Sequence, residues 1–348
     1  MNLTSRTRLA EAILDQREAV GQAAGALADE RSEKYAAQLR CLVRYLAAAA
    51  QAGEPSIFAD YLRWNMGFFV ARQVDLEELR VRVNYLEEIL EVSQEFEVAL
   101  RGIFEAGHRG LERGPFPAIN GGEPGEATPL QAAYLAAAMS GDRPRAWTVV
   151  EGGLADGVGV GEFYHEVIIW TQARVGALWV RNEISEAKEH LVSAVTQSVL
   201  AGLYSKITGP RNRGRILMIA VEGEAHLLPV NIVADLLELK GWDVRMLGSF
   251  IPLPALLDTI EEEAPDVVAL GATLSAYVPE ATRMIIAIQE RFSELPIVAG
   301  GQGVTGARAH FEELGVMVSE GRKFEAFDRL AKPQVVQPGP GRSVDRRG

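Results

Sequence analysis

The sequence predicts a multidomain α and α/β protein: an N-terminal helical domain, a four-helix bundle, then an open, doubly wound parallel sheet. Three observations predict it. Apolar residues recur at three- and four-residue spacing over 1–113 and again over 130–207, the period of amphipathic helices. From residue 215 the pattern changes to short continuous apolar runs that alternate with helical stretches, as in parallel strands buried on both faces. Pro/Gly-rich segments at 114–129 and 333–348 break the chain, the first reading as a linker and the second as a disordered tail.

In order along the chain, Leu39, Leu42, Val43 and Leu46 make one apolar stripe, and Leu76, Leu79, Val83, Leu86, Ile89 and Leu90 make another. Pro55 follows a helix end near Gly53, and a new helix starts at Ser56. In the second block helices are expected over 133–139, 145–154, 163–177 and 186–204, the last capped by Ser185 through its side-chain oxygen. Short loops between them suggest a bundle. The run Gly157-Val158-Gly159-Val160-Gly161 reads as a loop. In the third block strands are expected at 215–221, 244–247, 267–270, 297–298 and 316–318. Helices are expected at 229–240, 256–263, 279–291, 307–314 and 323–331. Five strand–helix units over 213–332 make a flavodoxin-like, Rossmann-type sheet under the right-handed crossover rule.

Composition narrows the function. Lys+Arg is 35 against 47 Asp+Glu, a formal charge of −12, the opposite of a general nucleic-acid binder. The single cysteine, Cys41, excludes a disulfide framework and a Cys-rich metal site. It sits beside the Leu39/Leu42 stripe and is expected to be a buried structural thiol. No apolar run reaches the roughly 20 residues of a membrane span, and the first residues lack the apolar core of a signal peptide. The expectation is a cytoplasmic protein that does not contact a membrane.

Three elements carry chemistry. The first expected strand ends at Val221, so Glu222-Gly223-Glu224-Ala225-His226 lies at the carboxyl edge of the sheet, where open α/β folds bind ligands. Glu224 is placed to bond one imidazole nitrogen of His226 and leave the other for a metal. One His and one carboxylate do not close a zinc site, so a metal here needs a cofactor that brings the other ligands. Taken alone, His226 also reads as a surface loop histidine. Second, Gly300, Gly301 and Gly303 form a glycine-rich turn after the fourth strand, where something bulky can approach the backbone; a plain turn is the other reading. Third, Trp179 is followed after nine residues by Glu189-His190. An indole, a carboxylate and an imidazole there can line one wall at the tip of the bundle, or be a core tryptophan beside a capped helix.

Together these resemble the B12-binding module of methionine synthase and its relatives, a helical cap followed by a flavodoxin-like cobalamin domain, over residues 130–332. The family's Asp-x-His-x-x-Gly is here Glu224-Ala225-His226-Leu227-Leu228-Pro229. Its Ser-x-Leu falls at Gly271-Ala272-Thr273, and its Gly-Gly is Gly300-Gly301. Trp179 with Glu189-His190 resembles the signature of B12-dependent photoreceptors, such as light-sensing repressors that use adenosylcobalamin.

The resemblance implies that His226 is the lower axial ligand to cobalt and that Glu224 orients it. It implies a nucleotide tail inserted toward Gly300 and Gly301, with Thr273 or Ser275 replacing the family serine. Trp179, Glu189 and His190 would cover the upper face, where the adenosyl group sits. Val180 stands where the repressors have a light-state histidine, which leaves His190 or His165 as donors.

Residues 1–112 carry 13 Lys+Arg against 18 Asp+Glu and no basic stripe, so they do not read as a winged-helix DNA-binding domain, and no direct nucleic-acid partner is expected. They are rich in aromatics and arginines (Tyr45, Tyr61, Trp64, Phe68, Arg44, Arg72), a mixture suited to a flat ligand with carboxylates. At this looser level the chain resembles the photocobilins, which add the bilin biliverdin to B12; a dimerisation or docking block is the other reading. Three functions follow. The first is a non-enzymatic light sensor that signals by homo-oligomer assembly or by an unidentified protein partner. The second is a corrinoid methyl carrier for a separate methyltransferase, and the third a corrinoid-free scaffold.

Overall fold

A computed structural model describes residues 1–25, 32–116, 125–320 and 324–332. The expected tail at 333–348 and the centre of the expected linker lie outside the described residues. Six helices open the chain: α1 (Leu3–Asp15), α2 (Arg17–Gly25), α3 (Ser32–Ala52), α4 (Ser56–Ala71), α5 (Glu77–Ile89) and α6 (Glu97–Arg113). The two apolar stripes read from the sequence are buried in their core, except Leu76 and Ile89, which are partly buried against it. Cys41 is not; it is exposed. Its neighbours Leu39, Leu42 and Val43 define the inward stripe, and at about 100° per residue Cys41 falls off that stripe.

The second block is α7 (Pro129–Ser140), α8 (Arg143–Ala155), α9 (Val160–Glu162), α10 (Ile169–Val180) and α11 (Glu186–Tyr204), with a π-helical turn over Phe163–Ile168 joining α9 to α10. Caps set its boundaries. Thr128 and Gln131 form a capping box on α7, Asp142 accepts from Arg145 N on α8, and Ser185 accepts from Lys188 N on α11, each satisfying an orphan N–H. Helical structure here begins at Val160, inside the expected glycine loop. The run continues to Val180, three residues past the expected end, so Trp179 lies in the last turn of α10.

The sheet is parallel, in the order β2-β1-β3-β4-β5, with β1 (Arg215–Ala220), β2 (Asp243–Gly248), β3 (Val267–Gly271), β4 (Ile297–Gly300) and β5 (Met317–Ser319). Between and after them come α12 (Leu227–Leu239), α13 (Leu253–Glu263), α14 (Val278–Arg291), α15 (Gln302–Thr305), α16 (Arg308–Glu313) and α17 (Glu325–Leu330). The flavodoxin-like order is the expected one. The largest boundary difference that matters is α12, which starts at Leu227 rather than at 229. His226 is its N-cap, and Pro229 falls in its first turn. A missing N–H is harmless there, so proline in place of glycine leaves the helix intact.

The two faces of the sheet belong to two cores. Leu217, Ile219, Val268 and Leu270 pack with α13, α14 and α16, in a core continuous with the N-terminal helices. Ile216, Met218, Ala220, Val267 and Ala269 pack with α12, α17 and the 129–204 bundle. The strand period of two thus assigns one helical block to each face. Tyr164 in the π-turn donates to Asp235 Oδ2 on α12 at 2.6 Å, joining bundle to sheet layer. No helix among the described residues is long and apolar enough to cross a membrane.

Candidate functional site

β1 pairs with β2 on one side and β3 on the other. The loops after β1 and β3 therefore leave the sheet side by side at its switch point. Glu224 is fully buried there, while the His226 side chain is 57% exposed.

Four hydrogen bonds converge on the Glu224 carboxylate. Its Oε1 accepts from His226 N (2.8 Å) and pairs with His226 Nδ1 (2.7 Å). Its Oε2 accepts from Thr273 N (2.8 Å) and Thr273 Oγ1 (2.5 Å). Burial alone would push this acid up; the bonds from His226 and Thr273 outweigh it and hold the carboxyl at about 2. Glu224 is thus an anion whose lone pairs are filled. The longer arm of Glu in place of Asp spans both its own loop and the β3 loop.

The bond to Glu224 raises the pKa of His226, against desolvation, and Glu189 on α11 raises it further. With Nδ1 tied to the carboxylate, Nε2 is the ring nitrogen left for a ligand. Among the described residues no three His, Cys, Asp or Glu come together as a metal site. A single oriented imidazole of this kind suits a metal that carries its own equatorial ligands. The tether continues outward: Tyr277 Oη donates to Gly223 O at 2.8 Å, pinning the loop that carries the pair.

Beside this pair a cavity of about 420 Å³ runs along the sheet edge. Met218, Val230, Val233, Val298, Phe324 and Phe327 make it apolar, and Gly271, Thr273, Gly300, Gly301, Gln302, Thr305 and Ser319 border it too. The glycines serve two purposes. Gly300 borders the cavity, where a Cβ would make ordinary contact with Ser319 O at 3.4 Å, but a Cβ on Gly301 would stand 2.1 Å from Ala272 O, and one on Gly303 2.4 Å from Leu274 O. At those two positions the β3 loop backbone is what comes close, and the φ of Gly301, +104°, independently excludes ordinary side chains. Gly271 is filled from outside: a Cβ there would meet Val230 Cγ2 at 2.8 Å. Of the two residues expected to replace the family serine, Thr273 borders the cavity but commits its hydroxyl to Glu224. Ser275 opens the turn Ser275–Tyr277 and is not among the cavity's lining residues. Ala225 and Leu227 shape the loop itself, through a Leu227 N to Ala225 O bond of 3.0 Å.

From the helical bundle, Ile169 lines this cavity and the charge of Glu189 on α11 acts on His226. Glu189 is mostly buried and accepts from Ser193 Oγ at 2.9 Å. His190 is 71% exposed and rests between Glu189 (3.3 Å) and Glu186 (3.5 Å). The Trp179 ring lies against α4 of the N-terminal block, 5.4 Å from Phe68 and 6.3 Å from Trp64 between ring centroids.

Residues 214–331 match the family model described as "B12 binding domain", and 130–204 match a second model of the same description. The fold and these matches define a corrinoid-binding module. Over residues 130–331 the chain belongs to the B12-binding family. Two curated relatives are helix-turn-helix transcriptional repressors of Myxococcus xanthus. CarA is 30% identical over 37% of this chain and 43% of its own length. CarH is 28% identical over 57% of this chain and 65% of its own. The chain therefore spans less than two thirds of either relative. Among solved structures, the monomethylamine corrinoid protein of Methanosarcina barkeri has the same fold, with TM-score 0.51 and 14% identity over 57% of this chain and 96% of that one.

The sequence reading missed Tyr277, and it named Thr273 only as a stand-in for the family serine, not as a partner of Glu224. Thr273 lies 49 residues from Glu224; the signal was strand order, since β1 and β3 bring their loops together. Tyr277 carries no motif, and only a pinned loop reveals it.

Proposed function

We propose that this protein is a light-responsive signalling protein that binds adenosylcobalamin in the cleft between the sheet edge and the 129–204 bundle. Adenosylcobalamin supplies a cobalt–carbon bond that visible light cleaves. His226 Nε2 would hold the cobalt, with Glu224 fixing its tautomer and direction, and the 420 Å³ cavity, within the usual range for ligand pockets, would take the nucleotide tail. Trp179, Glu189 and His190 form the upper wall. The observation that carries the reading is the buried Glu224 with four hydrogen bonds presenting an exposed imidazole. That arrangement orients a metal-binding histidine, here in a chain similar to CarA and CarH.

No wing strand is found among the described residues of the N-terminal block, and its charge balance is acidic. We therefore place the output in assembly or protein docking rather than direct DNA contact. Biliverdin remains a candidate second ligand for the aromatic and arginine residues of that block. A methyl carrier is the second reading, and the same experiment separates them. The protein is loaded with adenosylcobalamin in the dark, then illuminated, with absorption and elution volume followed. A bound corrinoid spectrum that changes in light together with elution volume supports the sensor. Photolysis no different from free cofactor, at constant elution volume, contradicts it.

A further inference from the structure

Trp179 does not stand alone above the cleft. Arg72, immediately after α4, donates from Nη2 to Trp179 O and from Nη1 to Val180 O, both at 3.0 Å. These are carbonyls of the last turn of α10, at its negative dipole end, and Trp179 O also accepts from Asn182 N at 3.0 Å. The same guanidinium lies 3.4 Å over the Phe68 ring and 5.6 Å from the Trp179 ring. One arginine thus ties α4 to both the backbone and the ring of the cap tryptophan. From there aromatic rings continue through the N-terminal block: Trp64 to Phe68 at 5.6 Å, Tyr61 to Trp64 at 6.2 Å, and Tyr45 stacked on Tyr61 at 3.5 Å and 7°.

The other end of this row is fixed to the sheet side. Arg44, on α3 one residue before Tyr45, lies 4.5 Å over Tyr277 and 3.4 Å from Glu280 Oε1. Tyr277 is the residue that pins Gly223, three positions before His226. Helix α3 is therefore held to the floor of the cleft and α4 to its ceiling. The Tyr45–Tyr61 stack lies where α3 and α4 meet.

We infer that Arg72 is a positioning residue that couples Trp179 to the N-terminal helical block, so that occupancy of the cleft is felt along α4. The inference rests on the corrinoid reading of the cleft and names how that site reaches the rest of the chain. Movement of the ceiling relative to the floor shears α4 against α3, and this interface is where the site's state leaves the module. Arg72 contacts the cap from outside and is not one of the residues assigned to hold adenosylcobalamin.

The test compares amide hydrogen exchange of residues 56–71 with and without adenosylcobalamin, in the dark, in wild type, Arg72→Gln and Arg72→Lys. Absorption spectra of the same samples report cofactor binding. The expected result is a gain in protection on binding of about fivefold or more in wild type, the lower end of ordinary site-to-site coupling. That gain should vanish in R72Q while the bound spectrum persists. R72K keeps the charge but loses the two-pronged donor and should retain part of it. A bound spectrum with no change in 56–71, or with the full gain kept in R72Q, overturns the coupling and leaves the corrinoid reading standing. No bound spectrum in wild type overturns both.

Discussion

The floor and the ceiling of the cleft are built on opposite principles. On the floor, Glu224 is buried and fully bonded, and the loop that carries it is pinned by Tyr277. On the ceiling, Glu189 and His190 are consecutive on α11 and point about 100° apart, His190 largely in solvent, and Trp179 is held from outside by Arg72. A metal ligand needs fixed geometry, because its direction sets the bond. A surface that reports a change must have few bonds to break. The difference teaches that holding and reporting are divided between the two walls.

Four perturbations sharpen or break this contrast. The largest effect is expected for Glu224→Ala. It strips four hydrogen bonds and leaves the Thr273 and His226 amides unpaired, at a cost of about 3 kcal/mol in stability. Cobalamin affinity should also fall roughly 10–100-fold. Urea unfolding and spectral titration measure the two; a loss below about 0.5 kcal/mol would mean that the floor is not preorganised.

Gly301→Ala comes next. Its φ of +104° and a 2.1 Å approach to Ala272 O predict about 2–3 kcal/mol of destabilisation. A neutral result by thermal unfolding would show the floor to be pliable.

The third perturbation is pH, read at the joint between bundle and sheet layer. Burial raises Asp235 to about 6, against the lowering bond from Tyr164. The folded state then keeps this proton between about 4 and 6 while the unfolded chain has lost it, so stability falls as pH rises through that window. With the group partly solvated, the expected fall is about 1–2 kcal/mol. Asp235→Asn should flatten the slope, and an unchanged slope would remove Asp235 as its source.

The smallest effect is expected for His190→Ala. An exposed ceiling residue should change stability by less than about 0.5 kcal/mol. A larger loss in the same unfolding assay would make the ceiling as rigid as the floor.

The sequence was informative where periodicity is local. The five strands and the four main bundle helices follow from runs and three-to-four spacing, and the cap of α11 from Ser185. The Glu224–His226 pair was legible because its members lie two residues apart in one loop. The bonds of Thr273 to Glu224, Tyr277 to Gly223 and Arg72 to Trp179 were not legible, since each residue acts on a partner far along the chain. Arg72 meets Trp179 across 107 residues, and no local pattern records such a meeting. Cys41 failed for a different reason: adjacency to buried leucines does not place a residue on their face of the helix. The glycine-rich turn was legible as close approach, but not what approaches: at Gly301 and Gly303 it is the chain's own β3 loop.

The most direct test of the account is the electron paramagnetic resonance spectrum of the cobalt(II) form bound to uniformly ¹⁵N-labelled protein. Nitrogen on the lower axial position splits each cobalt line. If His226 is the ligand, its labelled nitrogen gives doublets, and His226→Ala removes them. Triplets from the unlabelled base of the cofactor in wild-type protein would contradict the account, because the floor would then hold the corrinoid without its histidine.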